Sequence, residues 1–582
     1  MITYTIAMPQ PHTHLFHVTI EVDGLAGAFV DLILPSWTPG SYMIREYARH
    51  VQGFGAWAAA AGTALPWRKI AKDAWRVETG GAERIQVRYQ VYANDLTVRT
   101  SHLDGTHGYF NGACVFMAVS GREAEPLRLR VDAPPAWQVT TGLEPADRPN
   151  EFLAADYDEL VDCPVECGTH RLLTFEVDGI PHRIAIWGRG NEDEARLIRD
   201  TRRIVEVQRD FFGGLPYRHY TFILHLLDGR GGGLEHRNSV TNQVDRWTFR
   251  PERNYERYLS LTSHELFHVW NAKRLRPAPL GPFDYRRENY TRLLWLVEGA
   301  TSYYDNLLLV RAGLMTPERF LERLAEAIAH LQSQPGRLLQ SLEQSSFDAW
   351  IKFYRPDENS ANSSVSYYLK GGLVCFLLDM EIRAFTGGRC SLDDLLRQLY
   401  AAYPLSRPGI PEEGALLAAV EELTGDRQGV FSEFFARYVS GVAELDYARA
   451  LAVAGLELRW ERKGPRAWLG CALKRQGERT IIESVRSDSP AWATGVYAGD
   501  ELLALDGWRV NDERLNERLE ERQPGDTVRL TLFRGDALIE ATVTLAEAPP
   551  DRAVIAPVEA PDDAQRRAYH SWLGMALWQA SA

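Results

Sequence analysis

The spacing of apolar residues changes twice along this chain, and those changes limit the fold more than any other feature of the sequence. From about residue 2 to 170, apolar and polar residues alternate, as in His14-Leu15-Phe16-His17-Val18-Thr19-Ile20-Glu21-Val22, in Phe29-Val30-Asp31-Leu32-Ile33-Leu34 and over 85–92. A period of two puts every second side chain on one face of a strand, so this stretch is predicted to be an antiparallel β-domain. From about 190 the period lengthens to that of helices. These are expected over 194–212, 255–275, 290–312, 317–334 and 364–385, with shorter ones at 392–403 and 414–424. A strand at 220–227 interrupts the first two. Near 455 short strands return and run to about 546, and a Pro- and Ala-rich tail leads to a short amphipathic helix holding Trp572 and Trp578.

At 582 residues the chain exceeds one ordinary core. The changes of period divide it into pieces at 1–170, 171–452, 453–548 and 549–582, giving a multidomain α+β protein. A net charge of -13 argues against a nucleic-acid surface, which needs a basic face. No run of 18 apolar residues offers a membrane span. The first residues lack the basic start and apolar stretch of a secretory signal, and six scattered cysteines are too few for a disulfide scaffold, so a cytoplasmic setting is expected. Cys163 and Cys167 are read as ordinary buried thiols.

The chemistry is announced by His264-Glu265-Leu266-Phe267-His268. On a helix, residues four apart share a face, so both imidazoles can reach one ion while Glu265 stands beside it, able to take a proton from an attacking water. With 15 histidines in the chain, chance would supply only about 0.03 such motifs. A catalytic zinc needs a third protein ligand and one open position. Glu298, a carboxylate inside the apolar run Leu293-Leu294-Trp295-Leu296-Val297-Glu298-Gly299-Ala300, is the preferred third ligand, because burying its charge without a partner is costly. Glu288 and Asp284 are rivals by distance along the chain, but they lie in a polar, loop-like segment. One zinc ion per chain is expected.

A Glu on a second helix after this motif resembles the thermolysin-like zinc peptidases. More specifically, the chain resembles the PDZ-containing glycyl aminopeptidase family (metallopeptidase family 61), distant relatives of the aminopeptidase N group. The resemblance is carried by Leu34-Pro35-Ser36-Trp37-Thr38-Pro39-Gly40-Ser41-Tyr42, Gly232-Gly233-Leu234-Glu235-His236, residues 263–275, Trp295-Leu296-Val297-Glu298-Gly299, Ser346-Phe347-Asp348-Ala349-Trp350 and Tyr367-Tyr368-Leu369-Lys370-Gly371-Gly372. The 29 residues between His268 and Glu298 exceed the usual spacing in thermolysin or aminopeptidase N, and the insertion at 273–291 accords with the closer family. The resemblance implies a thermolysin-like catalytic domain at 171–452 with a helical part. It makes Gly233 and Glu235 the exopeptidase motif, the glycine letting substrate backbone lie close and the carboxylate binding the free α-amine. It also makes Tyr368 the oxyanion donor, with Tyr367 in reserve, and implies a preference for N-terminal Gly or Ala.

Trp468-Leu469-Gly470-Cys471, Ser489-Pro490-Ala491, Ala498-Gly499-Asp500-Glu501-Leu502-Leu503 and Asp506-Gly507 resemble a PDZ domain, which implies that 453–548 can take a peptide C-terminus as an added strand. The reading is thus a zinc aminopeptidase acting on peptides with a free N-terminus, with no nucleic-acid partner and no membrane span. Its rivals are a zinc endopeptidase and a non-enzymatic PDZ adaptor with a structural metal. The β-domain is expected to cover the active-site cleft, where Arg99, Tyr109 and Asn111 could contact substrate; the preferred reading is that they are local structural residues.

Overall fold

The computed structural model describes residues 2–229 and 231–577. Trp578, expected in the last helix, lies outside the described residues. The chain divides into two compact units, the first built from 1–290 with 400–410 and the second from 291–399 with 411–582.

The first unit opens with the β-domain. Its largest sheet has seven strands in the order Glu144–Pro145, Glu151–Ala154, Leu127–Asp132, Ile2–Ala7, Leu15–Asp23, Arg84–Tyr92, Val51–Ala58. The expected alternation is realised in Leu15–Asp23, where Phe16, Val18, Ile20 and Val22 enter the core and the residues between them do not. Ile20 stands opposite Val87 and Val18 opposite Tyr89, so both strands bury the same face. One pair departs from the antiparallel expectation: Ile2–Ala7 runs parallel to Leu127–Asp132, which lies far along the chain and is reached by a long crossover. A four-stranded sheet, Gln138–Thr141, Val165–Gly168, His107–Phe110 and Ser101–Leu103, completes the part of this domain that matters below.

Behind it stands a mixed five-stranded sheet in the order Arg171–Val177, Ile180–Trp187, Tyr220–Leu227, Ser239–Asp245, Gly232–Glu235. Tyr220–Leu227 is buried at every position and parallel to both neighbours, as its nearly unbroken apolar run requires. The glycine-rich strand Gly232–Glu235 is the edge, antiparallel to Ser239–Asp245. Two helices belong to this layer. Glu194–Phe212 is capped by the Asp193 side chain and closed by Gly213 in the left-handed region. From it the Gln208 amide donates to the Ser263 carbonyl at 2.8 Å, fixing Glu252–Phe267 alongside. The helix expected over 255–275 stops at Phe267, because Ala272 takes a φ of 135° and the chain folds back, Lys273 N donating to the His268 carbonyl.

In the second unit the expected helix over 290–312 is a π-helical turn, Trp295–Gly299, followed by Ala300–Arg311. Pro317–Gln332, Leu369–Thr386, Leu392–Ala402 and Ala415–Thr424 follow the predicted pattern closely. The last helix, Asp563–Leu573, packs through Trp572, whose indole donates to the Tyr303 hydroxyl at 2.7 Å. The strands Cys471–Gln476, Arg479–Val485, Glu501–Leu505, Thr527–Arg534 and Ala537–Thr544 form a sheet with its own apolar core. The Pro- and Ala-rich tail hides a strand, Arg552–Pro557, paired with Leu456–Glu461. Among the described residues no helix is long and apolar enough to cross a membrane.

Candidate active site

His264, Glu265 and His268 occupy the end of the helix Glu252–Phe267, with His268 as its C-cap. The two imidazole rings lie 4.8 Å apart, centroid to centroid. His268 is buried and its Nδ1 sits 2.8 Å from the Asn271 carbonyl. A carbonyl can only accept, so Nδ1 carries the proton and Nε2 keeps its lone pair, the state a metal ligand must have. The early end of the helix produces this contact: had the helix run on to 275, the Asn271 carbonyl would have pointed along its axis. Glu265 is also buried, at 6% exposure.

The edge strand Gly232–Glu235 passes directly beside Glu265. A Cβ built on Gly233 would lie 2.1 Å from Glu265 Oε1, so the bare backbone at 233 is what leaves room for that carboxylate. The sequence reading gave Gly233 to the substrate; the structure gives it first to the side chain of Glu265. Two residues on, and therefore on the same face of the strand, stands Glu235, 6% exposed. One ligand-capable atom from each of Glu235, Glu265 and His268 lies within 4.8 Å of the other two. Two buried carboxylates this close favour a cation between or beside them.

Two supports of Glu235 were not found from sequence. Gly40, in the turn Trp37-Thr38-Pro39-Gly40-Ser41, approaches it so closely that a Cβ there would fall 2.5 Å from Glu235 Oε1. Asp162 accepts from Lys273 Nζ and from the Arg237 backbone N–H, both at 2.8 Å, and lies 3.4 Å from His236 Nδ1. Burial alone would raise the Asp162 carboxyl, but Lys273 and His236 hold it well below the usual range. An ionised Asp162 thus pins the residues that follow Glu235 and those that follow His268. A Gly-rich turn followed by Glu-His was the only local signal, and it does not reveal a partner 74 residues away.

In the second unit Glu298 is 2% exposed and belongs to the π-helical turn Trp295–Gly299, a local widening that recurs at functional positions. Gly299 packs backbone to backbone on Gly371; a Cβ at 299 would lie 2.5 Å from the Gly371 carbonyl carbon. This contact fixes Glu298 relative to the start of the helix Leu369–Thr386. Tyr368 is the N-cap of that helix rather than a residue within it, and it is half-buried, its ring stacked on Phe353 at 5.3 Å. Tyr367 is fully buried. Lys370 is buried too, donates to the Arg337 carbonyl at 3.1 Å, and is pushed down by its burial to about 8. Of the β-domain residues, Tyr109 is buried and donates across to Thr241 Oγ1 of the five-stranded sheet at 3.1 Å, and Asn111 caps a short helix.

Three family models match the chain: the Peptidase M61 N-terminal domain over residues 3–169, M61 glycyl aminopeptidase over 257–374 and the PDZ domain over 467–545. A solved aminopeptidase N family protein from Idiomarina loihiensis superposes with a TM-score of 0.91 and 32% identity, covering 98% of this chain and 100% of the other. A probable periplasmic serine endoprotease DegP-like from Brucella suis is 32% identical over 99 residues, which is 17% of this chain and only 19% of that relative's length. The full-length likeness and the two M61 matches agree, and the peptidase described above, with its PDZ domain, belongs to the M61 glycyl aminopeptidase family.

Proposed function

We propose that this protein is a zinc aminopeptidase that removes the N-terminal residue, Gly or Ala, from peptides. The observation that carries the reading is the 4.8 Å convergence of Glu235, Glu265 and His268. An α-amine held by Glu235 leaves room for one residue before the reacting carbonyl, which is the geometry of an exopeptidase. An endopeptidase has no use for a buried carboxylate at that place.

His264, His268 and Glu298 are the proposed ligands of one zinc ion per chain, and the fixed tautomer of His268 supports the fit. When bound, zinc would act as a Lewis acid and make water a better nucleophile at neutral pH. Glu265 takes the proton of the attacking water and returns it to the leaving amine. Glu235 holds the substrate ammonium by charge-assisted hydrogen bonds, and the open edge of Gly232–Glu235 aligns the extended backbone. Tyr368 donates to the oxyanion; its partial exposure, against full burial of Tyr367, supports the choice between the two. The Gly or Ala preference rests on the family. The PDZ domain is assigned a peptide C-terminus.

The test is hydrolysis of an Ala-terminated chromogenic amide and its N-acetylated twin, with and without chelator. Chelator-sensitive cleavage of the free amine alone is expected. Glu265→Gln should lower kcat by about a thousandfold or more, and Glu235→Gln should act mainly on KM for the free amine. Equal cleavage of both substrates would replace this reading with an endopeptidase.

A further inference from the structure

The catalytic edge has a second charged group that the mechanism leaves unused. Arg99, from the β-domain, extends its guanidinium to the start of the edge strand: Nη1 stands 4.0 Å from where a Cβ on Gly232 would lie. Apart from Gly232 itself and its two chain neighbours, no other heavy atom among the described residues comes within 4 Å of that point, so the space over Gly232 beside Nη1 is open. The backbone of Arg99 is fixed on both sides. Its carbonyl accepts from the Tyr47 hydroxyl at 2.8 Å and the Cys114 thiol at 3.4 Å, and its N–H donates to Thr97 Oγ1 at 3.2 Å. The side chain has no ion pair among the described residues, and its buried Nε has no hydrogen-bond partner there. A cation placed on a rigid base beside a peptide-binding edge, with no ion pair among the described residues, calls for an anion.

Resting on the aminopeptidase reading, the direction of the substrate follows. With its amine at Glu235, a peptide pairing antiparallel to the edge runs back along the strand toward Gly232. Those three steps span about 10 Å at roughly 3.3 Å per residue, the length of an extended tripeptide. Gly233 and Glu235 face the motif helix, while Gly232 faces the other side, so Arg99 meets the departing end of the peptide from the face opposite Glu265. We propose that Arg99 binds the free C-terminal carboxylate of a short peptide, which makes tripeptides the preferred substrate class. A guanidinium suits this ligand because it can donate two parallel hydrogen bonds to one carboxylate.

The test uses the full chain carrying Glu265→Gln, so that binding is measured without turnover. Calorimetry compares Ala-Ala-Ala with its C-terminal amide. The free carboxylate is expected to bind about tenfold tighter, and added salt should shrink the difference. Adding Arg99→Ala, or the longer neutral Arg99→Gln, should bring the two affinities within about twofold of each other. Equal affinities before Arg99 is changed, or a carboxylate advantage that survives both substitutions, would overturn the proposal. With Glu265 restored, failure to cleave both the Ala-terminated amide and Ala-Ala-Ala, with the carboxylate advantage at Arg99 intact, would sink the aminopeptidase reading and leave only the carboxylate site, without tripeptides as its substrates.

Discussion

Two strands in this protein end their sheets and are the proposed seats of an extended peptide, and their surroundings are opposite in character. Gly232–Glu235 ends the mixed sheet of the first unit and Cys471–Gln476 ends the sheet of the PDZ domain. The first is flanked by the buried carboxylates of Glu235 and Glu265. The second borders a cavity of about 310 Å³ lined by Leu469, Leu473, Leu515 and Leu519, with Asp512 and Asn516 among its polar residues. Any strand edge gives a peptide the same main-chain hydrogen bonds, so the edge sets register and says nothing of which end is held. The flanks decide that: anionic walls suit an amine, and an apolar pocket beside a Leu-Gly turn suits an apolar C-terminal residue. The glycines differ likewise in what they clear. At Gly233 a methyl would strike Glu265, the proposed base, at 2.1 Å, whereas at Gly470, whose φ is 82°, it would strike the Ser489 side chain at the same distance.

The largest effect expected from this contrast is that of Gly233→Ala. The methyl would strike Glu265 at Oε1, Cδ and Cγ, at 2.1, 2.3 and 2.6 Å, so that side chain must swing aside as a whole and the proposed base cannot keep its place, while no backbone atom stands in the way. We expect kcat/KM for an Ala-terminated amide to fall about a hundredfold, with the melting temperature nearly unchanged. Full activity in the Gly233→Ala variant would mean that Glu265 does not work from the position described.

What the sequence made legible, and what it hid, divides along local and non-local lines. The helix Glu194–Phe212 and the strand Tyr220–Leu227 fall where periodicity put them, since each is dictated by its own side chains. The placement of both histidines of the motif on one face needed only the helical period. The end of that helix was not legible: nothing in Val269-Trp270-Asn271-Ala272 forbids helix, and only the folded-back chain holds Ala272 at positive φ and turns the Asn271 carbonyl to His268. Nor were the contacts of Gly40 and Asp162, because each acts on a residue far along the chain. The strand Arg552–Pro557 was obscured by a composition poor in strand formers, and is rescued by pairing with Leu456–Glu461.

The two edges also hang from different cores, and acid should separate them. The sheet that ends in Gly232–Glu235 is tied to the β-domain by Glu166, fully buried, which lies 2.9 Å from His107 Nδ1 and 2.9 Å from His225 Nε2. Burial would raise the Glu166 carboxyl, but His107 and His225 draw it down from 4.5 to about 2. A carboxyl whose folded pKa is depressed contributes its stability above the unfolded value and loses it as pH falls through the folded one. The ionised Glu166 therefore contributes stability at neutral pH that is lost as pH falls from 4.5 to about 2. The PDZ core is apolar, and the buried carboxylate found there among the described residues, Asp500, is paired at 2.8 Å with Arg534, whose charge acid does not change, rather than with histidines. Hydrogen exchange on acidification should show the strand His107–Phe110 losing protection before Thr527–Arg534, and Glu166→Gln should flatten that difference by destabilising the first strand already at neutral pH. Simultaneous loss in both strands would show that the ion set is not what holds the catalytic sheet.

The smallest effect lies at the PDZ edge, and it tests whether flanks rather than edges choose the peptide end. Leu473 stands on the edge strand and lines the cavity. Leu473→Ala keeps every main-chain hydrogen bond of the edge and removes only apolar surface, about 1.5 kcal/mol at most for a side chain of this size. A labelled hexapeptide ending in Leu should bind about tenfold more weakly by fluorescence anisotropy. Amidating its C-terminus should weaken it as well, while N-acetylation should have no effect here, although the same acetyl group is expected to block the catalytic edge. If acetylation and amidation prove equally harmless at the PDZ domain, and Leu473→Ala is silent, the apolar cavity reads no peptide end. The contrast between the two strands would then reduce to one catalytic edge and one that only braces its sheet.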